Sequence, residues 1–197
     1  FGQGTDNQFW RVTSTSNLNL TTPAFSLPQD AISFAFDYIG RYPAGDGSRW
    51  LHVQARAAGI VAHNTSIRNS TTQVRGLTPE PSLGGLNARI RVFTLFNNRN
   101  DTISYNRPDG LGTTNLSSTN ATVWVYHYTG AKAETWEQLI SEYQFNRGAT
   151  TAGAVMDTLV FVLDGNAVAR SFDIDDITIL GSQGLLPPLY VALTNRL

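Results

Sequence analysis

The stretch Phe172-Asp173-Ile174-Asp175-Asp176-Ile177-Thr178-Ile179-Leu180 decides how this chain folds. Its apolar residues alternate with polar ones, but the alternation shifts by one residue at Asp175-Asp176. Successive side chains of a β-strand point to opposite faces, so a regular strand would turn half of these apolar side chains outward. One extra residue in a β-bulge restores a common apolar face. The pattern therefore predicts a strand with a bulge at the two aspartates.

Most of the remaining chain shows the alternation that is typical of strands. From this alternation, or from an apolar run before a turn, strands are predicted at residues 31–39, 50–56, 88–96, 121–128 and 158–163. Turn-forming residues separate these segments at residues 42–47, 83–85 and 108–110. Many strands joined by turns favour an all-β fold, and we predict a two-sheet antiparallel β-sandwich. One segment, residues 132–143, has apolar residues at three- and four-residue spacing, which favours a helix.

The last third of the chain carries a family resemblance. A segment with Trp136, the run Leu159-Val160-Phe161-Val162-Leu163-Asp164-Gly165 and then the bulged strand follow one another. This order resembles the closing strands of β-jelly-roll modules of the carbohydrate-binding and MAM-like type. The resemblance implies a jelly roll, a strand instead of a helix around Trp136, and a structural calcium held by Asp175 or Asp176. The chain lacks the early Gly-x-Phe-Glu strand that supplies a second ligand in those families, and a solvated strand end is the alternative for the two aspartates.

The composition excludes several function classes. The 197 residues carry a net charge of −1 with only 15% charged residues, so no basic surface is expected for nucleic acid. The absence of cysteine excludes disulfides, zinc-thiolate sites and cysteine nucleophiles. No apolar run reaches the roughly 18 residues that a membrane-spanning helix needs, and the chain opens at Phe1 as a processed chain does. We expect a secreted, extracellular protein whose residues 1–180 form one domain.

Sequons for N-glycosylation, Asn-x-Ser/Thr, lie mostly in polar segments that are predicted as loops. Asparagine, serine and threonine are also common in turns for conformational reasons alone, which is the alternative explanation. We interpret the sequons as marks of a glycosylated extracellular surface. They occur at Asn19, Asn64, Asn69, Asn100, Asn115 and Asn120.

Two predicted strands each place aromatic and hydrogen-bonding side chains on one face. In residues 121–128 the aromatic face lies opposite Val123 and Val125, and in residues 50–56 the polar face lies opposite Val53. Sugar-binding sites combine flat rings with amide and guanidinium donors, so these faces together predict a polysaccharide site. The alternative is that the rings fill the core. The candidate ligand-binding residues are Trp50, Gln54, Arg56, Trp124, Tyr126 and Tyr128.

No catalytic constellation is complete in the sequence. His52, Gln54 and Arg56 resemble the residues that jelly-roll polysaccharide lyases use, but the companion Tyr-Phe-Lys-x-Gly-x-Tyr motif is absent. Glu134 and Glu137 have a spacing that is common by chance, and no Glu-x-Asp-x-Glu strand accompanies them. We therefore expect no enzymatic activity.

Residues 181–197 are predicted to form a separate extended C-terminal arm. A Gly181-Ser182-Gln183-Gly184 joint precedes an apolar segment in which Leu189, Val191 and Leu193 alternate. Such an arm can add a strand to a neighbouring subunit and build filaments, or it can pack on its own sandwich. We predict self-association through the arm and, as the function, a non-catalytic structural subunit of an extracellular fibre or matrix. The alternative function is a carbohydrate-binding module.

Overall fold

The structure is a computed structural model that describes residues 10–14, 18–21, 31–41, 51–67, 76–77, 89–129, 133–144, 157–163 and 170–180. These residues form thirteen β-strands and no helix, so no membrane-crossing helix is found in that part of the chain. The strands are β1 (Trp10–Ser14), β2 (Leu18–Thr21), β3 (Ala31–Arg41), β4 (Leu51–Ala57), β5 (Ile60–Ile67), β6 (Gly76–Leu77), β7 (Arg89–Asn97), β8 (Ile103–Asn106), β9 (Thr113–Leu116), β10 (Asn120–His127), β11 (Thr135–Gln144), β12 (Thr158–Leu163) and β13 (Arg170–Leu180).

Eleven of these strands form two sheets that pack face to face. The six-stranded sheet has the order β1-β13-β3-β7-β10-β11, and the five-stranded sheet has the order β2-β12-β4-β5-β6. Neighbouring strands are antiparallel, apart from the short parallel pair of β5 and β6. Phe36 of the six-stranded sheet meets Phe161 of the other sheet edge to face, with ring centroids 5.5 Å apart in a buried apolar core. The predicted two-sheet antiparallel β-sandwich is confirmed.

The chain crosses between the sheets in the manner of a jelly roll. The consecutive strands β12 and β13 lie in different sheets. In one sheet β13 lies between β1 and β3, and in the other β12 lies between β2 and β4. The C-terminal strands β12 and β13 are therefore each inserted between N-terminal strands, and the sandwich closes through pairings that are distant in sequence.

The bulge predicted in β13 is present. Asp175 pairs with Asp37 of β3, but the next pair joins Thr178 to Ala35, so β13 holds one residue more than its partner over this interval. Asp176 has a φ of 48°, in the left-handed region that aspartate tolerates better than most residues. Ile174 faces the core between the sheets, and Ile177 packs against the same core after the bulge. The shift of alternation in the sequence therefore corresponds to a β-bulge in the backbone.

The helix favoured for residues 132–143 is wrong, and the strand implied by the family resemblance is confirmed as β11. Its register against β10 shifts twice, once on each side of the pair of Ile140 with Val123. Each shift adds a residue to β11, so the core residues Val125 and Val123, two positions apart, lie opposite Glu137 and Ile140, three positions apart. Two bulges thus produce a spacing that mimics a helix.

A second apolar cluster covers part of the outer face of the six-stranded sheet, which is the face away from the other sheet. The hairpin of β8 and β9 lies over it, and its residues Tyr105 and Leu116 pack with Phe93 and Trp124. The strands β7 and β10 are consequently buried on both sides at this end of the sheet. The sequence predicted only the turn at residues 108–110, and not the strands of this hairpin.

Several sequence predictions fall outside the described residues. They are the turns at residues 42–47 and 83–85, the C-terminal arm at residues 181–197 with Leu189, Val191 and Leu193, the aromatic residue Trp50 and the sequon residue Asn69.

Candidate functional site

The predicted sugar-binding residues do not share one face. Ala55 of β4 lies in the core between the sheets, so its neighbours Gln54 and Arg56 lie on the outer face of the five-stranded sheet. Val125 of β10 lies in the same core, so its neighbour Tyr126 lies on the outer face of the six-stranded sheet. The prediction of one combined face is therefore wrong, because alternation gives the side of a strand but not the sheet that the strand joins.

A row of register-matched residues crosses the outer face of the six-stranded sheet. Asp175 of β13 pairs with Asp37 of β3, and Asp37 pairs with Arg91 of β7. Arg91 pairs in turn with Tyr126 of β10, and Tyr126 with Trp136 of β11. Directly opposed residues of an antiparallel pair have Cβ atoms roughly 4.5–5.5 Å apart. The row therefore brings carboxylates, a guanidinium group and two rings into one continuous strip.

Three partly exposed rings form what we call the ring cluster: Tyr126, Tyr128 and Trp136. The ring centroids of Tyr126 and Trp136 are 5.4 Å apart, and those of Tyr126 and Tyr128 are 5.0 Å apart and nearly perpendicular. Gln138 is exposed on the same face, and its Nε2 donates to Thr122 Oγ1 at 3.1 Å. The cluster thus places partly exposed ring surface beside the exposed amide side chain of Gln138.

A buried ion-pair network adjoins the ring cluster. The Asp37 carboxylate is 0% exposed and accepts hydrogen bonds from Arg91 Nη1 at 2.8 Å and from Arg89 Nη2 at 2.5 Å. Burial raises the pKa of Asp37, and the two arginines oppose that rise. The Tyr128 hydroxyl donates to the same carboxylate at 3.4 Å, and Arg89 Cζ lies 4.5 Å from the Tyr128 ring centroid. These contacts fix the position of Tyr128 beside the ion pairs.

Trp124 does not present its ring to solvent. Its side chain is 1% exposed, because the hairpin of β8 and β9 covers it. Its Nε1 donates to the Tyr105 hydroxyl at 3.3 Å, and Arg107 Cζ lies 5.3 Å from its ring centroid. The prediction that Trp124 contacts a sugar is therefore wrong for this conformation, and Trp124 belongs to the second apolar cluster.

On the opposite side of the sandwich, Gln54 and Arg56 contact each other. Arg56 Nη2 donates to Gln54 Oε1 at 2.6 Å, and Arg56 Nε donates to the same oxygen at 3.2 Å. Both residues are half-buried, and β4 places them opposite β5 and β12. The sugar contact predicted at these residues is untested, and it would be a site separate from the ring cluster.

The acidic bulge contains two of the ligands that the family resemblance implies for calcium. Asp175 is buried and Asp176 is half-buried, but calcium takes six to eight oxygen ligands. Among the described residues no group of three acidic or histidine side chains could hold a metal ion, and Asp37 is already bound by arginines. Calcium binding stays a prediction that needs donors beyond this set. Its check is the melting temperature of metal-free protein with and without calcium, compared with Asp176→Asn.

The two glutamates considered for catalysis lie apart from the ring cluster. Glu137 faces the core side of β11, where its Oε2 lies 3.1 Å from Nε2 of the fully buried His127. Glu134 precedes β11 and is exposed, with its backbone N–H donating to the carbonyl of His127. The contact of Glu137 with His127 fixes the end of β10 against β11. The absence of enzymatic activity stays a prediction.

The ion-pair network and two of the outer-face residues were missed by the sequence analysis. In the strand predicted at residues 31–39, Asp37 is the charged residue in an apolar run, and residues 88–96 contain Arg89 and Arg91 two positions apart. A charge at an otherwise apolar strand position indicates a buried partner on a neighbouring strand. Trp136 and Gln138 were missed because the segment around them was assigned to a helix.

The sequons differ in accessibility. Asn19 and Asn100 are exposed, as is Asn115 on the hairpin of β8 and β9. Asn120 is half-buried and its side chain hydrogen-bonds Glu142. Asn64 lies in β5, where it pairs with Gln54 in register. Glycosylation of these sites stays a prediction.

No protein-family model matches the chain, and no curated protein matches it. Among solved structures, the catalytic domain of a glycoside hydrolase family 131 protein from Coprinopsis cinerea has a TM-score of 0.35 at 7% identity, with 78% of this chain and 57% of that domain covered. Peanut lectin in complex with a nine-residue peptide has a TM-score of 0.36 at 8% identity, with 88% and 99% covered. A galectin from Caenorhabditis elegans has a TM-score of 0.28 at 8% identity, with 89% and 100% covered. These TM-scores are all below 0.5 and assign neither a family nor a function.

Proposed function

We propose that this protein is a non-catalytic carbohydrate-binding module that binds a polysaccharide through the ring cluster of the six-stranded sheet. The observation that carries the proposal is the packing of Tyr126, Tyr128 and Trp136 into one partly exposed aromatic surface beside Gln138. The C–H faces of pyranose rings pack on such surfaces, and hydroxyl and amide groups supply the directional hydrogen bonds.

The ion-pair network supports the proposal because it fixes the ring cluster before a ligand arrives. Tyr128 is positioned by its hydrogen bond to Asp37 and by the guanidinium group of Arg89 over its ring. Tyr126 packs in turn against Tyr128 and Trp136. A surface whose rings are already ordered loses less conformational entropy on binding than one whose side chains must order.

The direct test is retention of the protein on polysaccharides, measured by affinity electrophoresis in gels that contain the polymer. Trp136→Ala and Gln138→Ala should each weaken binding, and we expect at least about a tenfold loss for Trp136→Ala, which corresponds to 1.4 kcal/mol. Trp136→Phe retains a ring and should recover part of the affinity. Unfolding in urea, measured for every variant, separates a binding defect from a folding defect.

Matched controls lie on the other sheet. Ile60 is exposed at the start of β5, and Ile60→Ala removes apolar surface without touching the ring cluster. Arg56→Ala tests the outer face of the five-stranded sheet, and both controls should bind as the unmodified protein does. Loss of binding in Arg56→Ala with full binding in Trp136→Ala would move the site to the opposite side of the sandwich.

The fibre-subunit function depends on the C-terminal arm, which lies outside the described residues, and it stays a prediction. Deletion of residues 185–197 should convert an assembling protein into a monomer if the arm joins subunits. Sedimentation of the full chain and of the truncated chain over a range of concentrations is the measurement. A full chain that is monomeric at every concentration would contradict assembly through the arm and would leave the carbohydrate-binding proposal unaffected.

A further inference from the structure

We propose that the ring cluster binds a single, accessible polysaccharide chain and discriminates against the flat face of a crystalline polymer. This inference rests on the proposed function and names the physical form of the substrate at the same site. Two separate features of the outer face carry it. They are the angles between the rings and the hairpin of β8 and β9 that stands beside them.

The three rings of the cluster do not share a plane. The planes of Tyr126 and Tyr128 meet at 80°, and those of Tyr126 and Trp136 meet at 59°. Because these two angles differ, the planes of Tyr128 and Trp136 are not parallel to each other either. Dispersion contacts need carbon atoms within roughly 4 Å of one another. A flat, rigid surface can therefore lie against one of these rings, but it meets the others only at an edge.

The spacing of the rings suits contact with one chain. Neighbouring ring centroids lie 5.0 Å and 5.4 Å apart, so the rings pack directly on one another. Rings that meet at such angles can touch different sides of the same stretch of chain. A free chain can rotate about its glycosidic bonds to meet them, whereas the sugar residues in a crystal face are held in one orientation.

The hairpin of β8 and β9 forms a step beside the ring cluster. It covers Trp124, which is 1% exposed and lies two positions before Tyr126 on the same face of β10. Trp136 packs against the same covered cluster, and Gln138, which pairs with Trp124, is exposed. Packed layers of strands stand roughly 10 Å apart. A rigid face wider than the domain would therefore meet the hairpin before the rings, while a single chain can lie beside it.

The step is held at both of its ends. At the base of the hairpin, the buried Asn97 donates from Nδ2 to the carbonyl oxygen of Leu116 at 3.1 Å and of Asp101 at 2.7 Å. At the tip, Arg107 Nε donates to Asp109 Oδ1 at 3.0 Å. Contact with a solid surface would have to break these bonds in order to flatten the face.

The experiment offers the full chain the same sugars in two physical forms. The crystalline solids are microcrystalline cellulose, β-chitin and crystalline mannan, tested by depletion from solution. Their soluble counterparts are hydroxyethyl cellulose, glycol chitin and galactomannan, tested by affinity electrophoresis, with xyloglucan and mixed-linkage β-glucan as further soluble probes. We expect binding to at least one soluble polymer, and binding to every crystalline solid that is at least about tenfold weaker or absent.

A variant of Tyr128 tests the contribution of the ring angles. Tyr128→Ala removes the ring that is nearly perpendicular to Tyr126, and it should weaken binding to the soluble polymer by about fivefold. Tyr128→Phe keeps the ring, loses only the hydroxyl that donates to Asp37, and should lose less affinity. Urea unfolding of each variant identifies a folding defect. If Tyr128→Ala does not fold, Tyr128→Leu replaces it, because leucine restores much of the volume without a flat ring.

The outcomes separate this inference from the proposed function. Binding to a crystalline solid that is within tenfold of the soluble affinity, or stronger, would overturn the inference. The ring cluster would still be the sugar site if Trp136→Ala lost that binding. A folded Tyr128→Ala protein with unchanged affinity would overturn the claim that the angled rings enclose the chain. Absence of binding to every polymer in both forms would overturn the proposed function itself.

Discussion

Asp37 and Asp175 stand directly opposite each other on neighbouring strands, at the last regular pair before the bulge in β13. Two like charges in this position destabilise an antiparallel pair. The structure tolerates them because Arg91 and Arg89 bind Asp37 from the other side. The bulge follows at once and takes the next carboxylate, Asp176, out of the regular alternation. The ion pairs and the bulge are thus two parts of one arrangement.

Removal of the Asp37 carboxylate should be strongly destabilising. Asp37→Ala leaves Arg91, which is 3% exposed, without its partner in a buried site. Loss of one member of a buried pair costs about 3–5 kcal/mol. The measurement is the free energy of unfolding in urea at pH 7. Asp101→Ala, which breaks a pair that is exposed on both sides, is the control and should leave the unfolding midpoint near that of the unmodified protein.

Raising the pH above 10 should destabilise the folded chain through Tyr128. Burial, strengthened by the charge of Asp37, raises the pKa of Tyr128 to about 12. An unfolded tyrosine titrates near 10, so between these values the unfolded chain releases a proton that the folded chain keeps. The stability from this group is present in full below pH 10 and is lost as the pH rises towards 12. Two pKa units correspond to at most about 2.7 kcal/mol.

The measurement for Tyr128 is urea unfolding at pH 9 and at pH 11.5, with tyrosinate absorbance followed in parallel. Tyr128→Phe removes the titrating hydroxyl and should lose less stability between these two pH values than the unmodified protein does. Identical losses in the two proteins would contradict a raised pKa at this residue. Other tyrosines titrate in both proteins and cancel in the comparison.

Replacement of Trp124 should lower the stability of the fold. Trp124→Ala empties a buried site under the hairpin of β8 and β9 and should cost about 3–5 kcal/mol. Tyr105→Phe removes only the hydroxyl that accepts from Trp124 Nε1 and should cost about 0.5–1.5 kcal/mol. Urea unfolding gives both values. A folded Trp124→Ala protein of normal stability that no longer binds polysaccharide would return this residue to the binding site.

Glycan occupancy should follow the accessibility of the sequons. Asn100 and Asn115 are exposed and should carry glycans after secretion from a glycosylating host. Asn120 should be poorly occupied, because its side chain bonds Glu142 and the hydroxyl of its sequon residue Thr122 is buried, donating to the carbonyl of Ile140 at 2.8 Å. Mass spectrometry of peptides before and after deglycosylation measures each site. Equal occupancy at Asn100 and Asn120 would contradict the dependence on accessibility.

The sandwich could be predicted from the sequence because its strands carry their own alternation, and the bulge at Asp176 because it shifts that alternation visibly. The strand β11 could not be predicted from the spacing of its apolar residues, because two bulges convert that spacing into one that a helix also produces. The hairpin of β8 and β9 was missed because its two strands have only four residues each, too few for a periodic pattern.

The candidate site was predictable only in part. The alternation placed Tyr126 of β10 and Tyr128, just after it, on the same side, and their rings do pack together. It could not show that Arg56 belongs to the other sheet, because strand order depends on contacts distant in sequence. The alternation also could not show that Trp124 is buried while Tyr126 is partly exposed. The burial of Trp124 depends on the hairpin of β8 and β9, which covers it.

The bulge at Asp176 also determines which changes in length the last strand can accept. Deletion of Asp176 would leave the strand in regular alternation, with Ile177 and Ile179 still on the core side and Thr178 on the outer face. Substitution by asparagine or glycine keeps the left-handed backbone and the count of residues. The strand can therefore accept replacement or loss of this one residue, whereas deletion of Thr178, after the bulge, would turn Ile179 to the outer face. In natural or designed variants of this chain, we expect either this spacing with the bulge, or a spacing shorter by one residue without it.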